Sequence, residues 1–113
     1  MSTKISTIEY IEDQIADIPE VRSRRMFGEY ALYVGDKVVA LVCDDALFVK
    51  ITDEGRAFAG EAYEEGCAYP GAKPSMRIDE DRIEDHAWLS ELIRITEAAL
   101  PDPKPKKKRV ARA

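Results

Sequence analysis

Glu29-Tyr30-Ala31-Leu32-Tyr33-Val34-Gly35-Asp36-Lys37-Val38-Val39-Ala40-Leu41-Val42-Cys43 is the stretch that decides the fold. Its first residues alternate with period two, so Tyr30, Leu32 and Val34 share one face and Ala31 and Tyr33 the other. Gly35-Asp36 is a two-residue hairpin turn, with glycine where positive φ is needed. Lys37 to Cys43 follows as a β-rich run through Val38, Val39, Leu41 and Val42. Asp44-Asp45 makes a second tight turn, after which Leu47, Val49 and Ile51 alternate with Phe48 and Lys50. The pattern predicts three strands of an antiparallel meander, with Arg24 to Phe27 as an added strand or lead-in.

Away from the meander the period becomes helical. Upstream, Ile8, Ile11, Ile15 and Ile18 recur at spacings of 3, 4 and 3, the stripe of an amphipathic helix. Ser6-Thr7-Ile8-Glu9 fits a capping box at its start, and Pro19 is expected to stop it. Downstream, Thr52 is placed to cap a short helix through Asp53, Glu54, Arg56, Phe58 and Ala59. Gly66 to Pro74 reads as a loop and Ser75 to Asp79 as another strand, with Met76 and Ile78 on one face. The acidic stretch Asp79 to Asp85 opens what reads as one long helix, striped by Leu89, Leu92, Ile93, Thr96 and Ala99 and widened by Trp88 and Ile95. Leu100-Pro101 ends it. This order predicts an α+β chain: a two-layer sandwich whose antiparallel sheet, a meander plus a later strand, is covered by helices.

The 113 residues suit one domain, and 45% hydrophobic content is enough for one core. The longest apolar run, Val38 to Cys43, has six residues, far short of the roughly 20 of a membrane span. The opening Met-Ser-Thr-Lys-Ile carries no secretory apolar region, so a cytoplasmic chain is expected, with Cys43 and Cys67 as free thiols. Cys43 ends an apolar strand and reads as a small core residue.

Charge is unevenly placed. The chain has 17 basic and 22 acidic residues, a net of −5. Six of the basic ones, Lys104, Lys106, Lys107, Lys108, Arg109 and Arg112, fall in the last ten positions, leaving residues 1–103 at −11 and the tail at +6. An acidic body repels a phosphate backbone, so nucleic acid is expected only at the tail, bound weakly and in a salt-dependent way. Pro101, Pro103 and Pro105 interrupt that segment. The expected organisation is a domain over 1–100 and a disordered basic tail over 101–113.

Catalytic chemistry has little to stand on. His86 is the single histidine, and with two distant cysteines it does not supply a metal set. Asp79, Glu80, Asp81, Glu84 and Asp85 lack the alternation and central glycine of a calcium loop, and read as a solvated helix start. The scattered glycines form no phosphate loop. No catalytic residue, metal or cofactor is expected, and an unrecognised enzyme stays only as a further alternative. Arg22, Arg24 and Arg25 form a basic patch, read either as a partner site or as salt bridges to the acidic body. Tyr63, Tyr69 and the loop Pro70 to Pro74 are either an aromatic contact surface or a rigid connector.

Arg25-Met26-Phe27-Gly28-Glu29-Tyr30-Ala31-Leu32-Tyr33, the hairpin Gly35 to Asp45, Leu47-Phe48-Val49-Lys50 and the later Tyr69-Pro70-Gly71-Ala72-Lys73-Pro74 together resemble the amino-terminal domain of the TfoX/Sxy family. The resemblance covers about residues 5–100. It implies a bacterial cytoplasmic domain named for regulators of DNA-uptake competence, in the form of a short stand-alone member. It also implies a fold similar to type III secretion chaperones and a role in protein–protein binding, including homodimer formation. The partner surface expected from the residues themselves is Arg24, Arg25, Phe27, Lys50, Tyr69 and Lys73. The chain departs from the family at Glu29, where many members carry a second glycine, and an altered turn is expected there.

Overall fold

The computed structural model describes residues 3–26, 29–68 and 70–101. The elements run α1 (Ile5–Gln14), β1 (Val21–Met26), β2 (Glu29–Val34), β3 (Lys37–Cys43), β4 (Ala46–Val49), α2 (Asp53–Ala59), a 3-10 turn (Gly60–Ala62), β5 (Glu65–Cys67), β6 (Pro74–Ile78), α3 (Glu80–Glu84) and α4 (His86–Ala99). Six strands form one antiparallel sheet in the order β1-β2-β3-β4-β6-β5. This is the expected α+β architecture.

The turns explain the meander. Val34 faces Lys37 across Gly35-Asp36, and Gly35 takes φ 61°, as a two-residue hairpin loop of this kind requires. Asp44 and Asp45 both take positive φ, 52° and 64°, between the paired Cys43 and Ala46. Aspartate tolerates that region better than most side chains. The register slips once, between Leu32 and Tyr33, so that Ala40 faces Leu32 and Val38 faces Tyr33. The extra residue, Val39, is buried like its neighbour Ala40.

One face of the sheet and all four helices share one core. Leu32, Val42, Leu47, Val49, Met76 and Ile78 from the strands pack with Ile8 and Ile11 of α1, Ala59 of α2, Ile83 of α3 and Leu89, Leu92 and Ile93 of α4. Burying such side chains contributes about 1.5–3 kcal/mol each, and this layer supplies most of the driving force for folding. Lys37 ties the last turn of α4 to the sheet: its Nζ donates to the Glu97 carbonyl at 2.9 Å and lies 3.5 Å from the Glu97 carboxylate. A cation there also suits the helix dipole.

Several boundaries differ from the sequence expectation. α1 begins at Ile5, which puts Ser6 inside the helix, and Lys4, the residue before it, makes no side-chain cap. The backbone N–H of Lys4 donates instead to Asp45 Oδ1 at 2.9 Å, the bond that a capping-box glutamate would have taken. α1 ends at Gln14 rather than at Pro19, and Ile15 and Ile18 reach the core from the turns beyond it. The single long helix expected after Asp79 is two helices. Asp79 caps α3, accepting from Arg82 N at 3.0 Å, and Asp85 caps α4, accepting from Trp88 N at 3.2 Å. The segment read as a loop from Gly66 begins inside β5, whose Gly66 fits because a Cβ there would sit 3.3 Å from the Phe48 ring. β1 starts at Val21, earlier than the expected Arg24.

Thr52 caps α2 as expected, its Oγ1 accepting from Gly55 N at 2.9 Å. Met26 faces Glu29 in ordinary register, while Phe27 and Gly28 lie outside the described residues, as does the expected tail from residue 102 onward. Among the described residues no helix is long and apolar enough to cross a membrane.

Candidate functional site

Directly opposed residues of an antiparallel pair point to the same side of the sheet. Arg24 faces Ala31, Ala31 faces Leu41, Leu41 faces Phe48 and Phe48 faces Arg77, so these five form one row across β1, β2, β3, β4 and β6. The adjacent row Ser23–Leu32–Ala40–Val49–Met76 belongs to the helix-covered core. The Arg24–Arg77 row therefore looks away from the helices. Tyr33 and Val38 share its side, since Tyr33 faces Arg22 on one strand and Val38 on the next.

This face has an apolar centre bordered by arginines, with the exposed Glu64 opposite Arg77 at the β5 side, where the Arg77 backbone N–H donates to the Glu64 carbonyl at 2.8 Å. Ala31, Cys43 and Phe48 are closed off by their neighbours, Tyr33, Val38 and Leu41 are half-buried, and Arg22, Arg24 and Arg77 are exposed. Arg22 donates to the Gly35 carbonyl at 3.3 Å and lays its guanidinium 4.6 Å from the Tyr33 ring centre. Glu29, at the start of β2, is held by two distant segments, its Oε1 accepting from Thr3 Oγ1 at 2.6 Å and from Asp44 N at 3.0 Å. Burial, with Glu29 and Asp44 nearby, pushes the Cys43 thiol above its ordinary range.

Charge is segregated between the two layers. Residues 4–20, 52–62 and 79–99, which carry the helices, hold 15 acidic and 4 basic side chains. The sheet segments, 21–51 and 63–78, hold 6 acidic and 7 basic ones. The acidic body read from composition is thus an acidic helix layer beneath a nearly neutral sheet whose outer face carries arginines.

The expected partner residues are only partly brought together. Arg24 lies in the outward row, whereas Arg25 faces Tyr30 on the helix side. Lys50 is exposed just beyond β4, and Lys73 is exposed before β6, four strand positions and roughly 19 Å from β1. Phe27, Tyr69 and the tail cations lie outside the described residues. The salt-bridge reading of Arg22, Arg24 and Arg25 is not what the structure shows: among the described residues the ion pair within 4.0 Å is Lys37–Glu97. The arginines sit on the sheet while the carboxylates crowd the opposite layer.

Tyr33, Val38, Leu41, Phe48 and Arg77 were not expected as site residues. Their signal was present in the pattern: Ala31 and Tyr33 of β2, Val38 and Leu41 of β3 and Phe48 of β4 are apolar at outward positions, where an antiparallel sheet with one solvated face reads polar.

Elsewhere, an open cleft runs between the start of α1, the β3–β4 turn and α3, lined by Thr7, Tyr10, Asp45, Glu80, Ile83 and Glu84. Partial desolvation in this cleft, with Glu84 and Glu80 nearby, raises the Tyr10 phenol above its usual range, although the ring stays exposed. No group of three or more His, Cys, Asp or Glu residues suited to a metal occurs among the described residues. His86 is exposed at the first turn of α4, and both cysteines are free thiols, Cys43 buried and Cys67 exposed.

The family model described as TfoX N-terminal domain matches residues 13–100. A curated relative from Spirochaeta aurantia, described as an uncharacterized 12.7 kDa protein in the trpE 5′ region, is 47% identical over 107 residues, covering 95% of this chain and 91% of the relative.

Proposed function

Because the chain belongs to the TfoX N-terminal domain family, we propose that it is a small cytoplasmic regulatory or adaptor domain that binds another protein through the face of its sheet turned away from the helices. The observation that carries this reading is the apolar centre of that face, Tyr33, Val38 and Leu41 over Ala31 and Phe48. Half-exposed apolar side chains grouped on one sheet face gain by being buried further against a partner. The reading is one of binding rather than catalysis.

A photo-crosslinking residue placed at position 41 tests it in cells, with position 94 on the helix layer as control. A discrete adduct from 41 and none from 94 is the expected result, and mass spectrometry of that adduct identifies the partner. An adduct of two copies of this chain makes it a homodimer. No adduct, or the same products from both positions, defeats the reading.

A second reading rests on the charge of the carboxy-terminal segment, six cations and no acid in the last ten residues. On it, Lys104, Lys106, Lys107, Lys108, Arg109 and Arg112 bind nucleic acid weakly. Gel-shift titrations at low salt of the full chain and of a chain ending at Pro101 decide it. Binding that disappears with the tail supports it, and no binding by either chain ends it.

A further inference from the structure

Resting on the open face as a docking surface, we propose that its partner is a protein presenting an acidic segment with an apolar anchor. The carboxylates pair with Arg24 and Arg77, and the anchor seats on Leu41 between them.

The row itself sets the spacing. Arg24 and Arg77 flank the row Arg24–Ala31–Leu41–Phe48–Arg77, with Leu41 in the middle and Glu64 beyond Arg77 on the β5 side. Four strand spacings make that row roughly 19 Å long. An extended segment covers the distance with about six residues, at about 3.3 Å each. Both arginines are exposed, and among the described residues neither guanidinium has a hydrogen bond or an ion pair. A guanidinium is a fork matched to a carboxylate and is more weakly hydrated than an ammonium, so it gives up water at lower cost when a partner docks.

Two other occupants fit less well. A second copy placed face to face would bring one arginine row against another, and like charges across an interface are costly. Single-stranded nucleic acid on a sheet is held by bases stacked on open aromatic rings. Here Phe48 is only 6% exposed, and one face of Tyr33 is already covered by Arg22. The acidic helix layer adds long-range repulsion of phosphates.

The test is a nuclear magnetic resonance titration of the isotope-labelled full chain. The probes are a short peptide of Asp, Glu, Leu and Phe, its analogue with every acid replaced by Ser, and an oligouridine. The acidic peptide is expected to shift the amides of Ala31, Leu41, Phe48 and Arg77 and to bind about tenfold more tightly than the Ser analogue at low salt. The gap should close at high salt. Arg24→Glu and Arg77→Glu, both exposed, should each remove the preference while Arg94→Glu on the helix layer leaves it intact. Unchanged thermal midpoints exclude unfolding as the cause.

Equal binding of both peptides at this face overturns the acidic specificity and leaves the docking face standing. Oligouridine shifting the same amides at lower concentration overturns the choice of a protein partner. No shift on this face with any probe removes both the specificity and the docking face.

Discussion

Thr7 Oγ1 donates a hydrogen bond of 2.9 Å to the carboxylate of Asp45, a residue 38 positions away in sequence. Asp45 Oδ1 also accepts from the backbone N–H of Lys4 at 2.9 Å, so the β3–β4 turn closes the first turn of α1. Those two bonds, with the charge of Lys4, hold the Asp45 carboxyl below its usual range. A carboxylate whose pKa falls on folding contributes stability that is present above its unfolded value, near pH 4, and is lost as pH falls through the lower folded value. Asp45→Asn keeps a residue that tolerates positive φ but removes the charge. Its thermal midpoint should lie below that of the wild type at neutral pH, and the gap should narrow as the pH drops below about 4. A gap independent of pH would mean that the carboxylate does not act in this way.

Gly55 and Thr52 should show strong coupling. Thr52→Ala removes the α2 cap and is expected to cost about 1 kcal/mol in urea unfolding. Helix propensity alone says that Gly55→Ala stabilises by about 1 kcal/mol. The structure reverses the sign, because an added Cβ would lie 3.0 Å from Thr52 Oγ1 and 3.4 Å from Leu92 Cδ1, with α4 packed behind it. Gly55→Ala should therefore destabilise, and the double variant should cost less than the sum of the two, since Thr52→Ala removes the nearer obstacle.

The two faces of β2 and β3 should respond very differently to truncation. Leu32 is fully buried under the helices, and Leu32→Ala is expected to cost about 2–5 kcal/mol. Leu41 is half-buried on the outer face, and Leu41→Ala should cost about 1 kcal/mol or less. Equilibrium urea unfolding of both variants checks the contrast. Comparable losses would mean that the outer face is as well covered as the core.

Trp88 reports on the docking of α2. Its ring lies 5.6 Å from that of Phe58, and the Arg82 guanidinium lies 5.2 Å from its centre. Phe58→Ala should expose the indole, shift its emission to the red and cost roughly 2 kcal/mol, less than for a fully buried phenylalanine. As the chain's one tryptophan, it leaves no ambiguity of assignment.

Cys43 and Cys67 should separate in alkylation at pH 8. Cys43 is buried and its thiol is shifted upward, so it holds little thiolate there. Mass spectrometry after limited iodoacetamide treatment should find Cys67 modified first.

The hairpins were legible because their signals are local: Gly35-Asp36 and Asp44-Asp45 need only their own backbone preferences. The caps at Thr52 and the stripe of Leu89, Leu92, Ile93 and Thr96 are local too. The first turn of α1 was misread because its partner, Asp45, lies in another element, and no nearest-neighbour pattern reveals that. The break at Asp85 was hidden by an acidic stretch in which Asp79 and Asp85 suit a helix cap equally well. β5 was missed because Glu65-Gly66-Cys67 has no strand propensity of its own, and what holds it is β6 and the Phe48 ring beneath Gly66. The candidate site was half visible. Arg24 was singled out from charge, but Arg77 joins it only through strand pairing across the sheet.

The segregation of charge makes the folded body behave as a vane in an electric field. Its helix layer carries 15 acids against 4 bases while the sheet is close to neutral, so the body has an electrical front and back as well as a net charge. On an amine-coated support it will settle helices down and hold Leu41 and its arginines toward the solution. On a carboxylated support the same body will turn over and bury that face, so the choice of sensor chip decides which layer stays accessible.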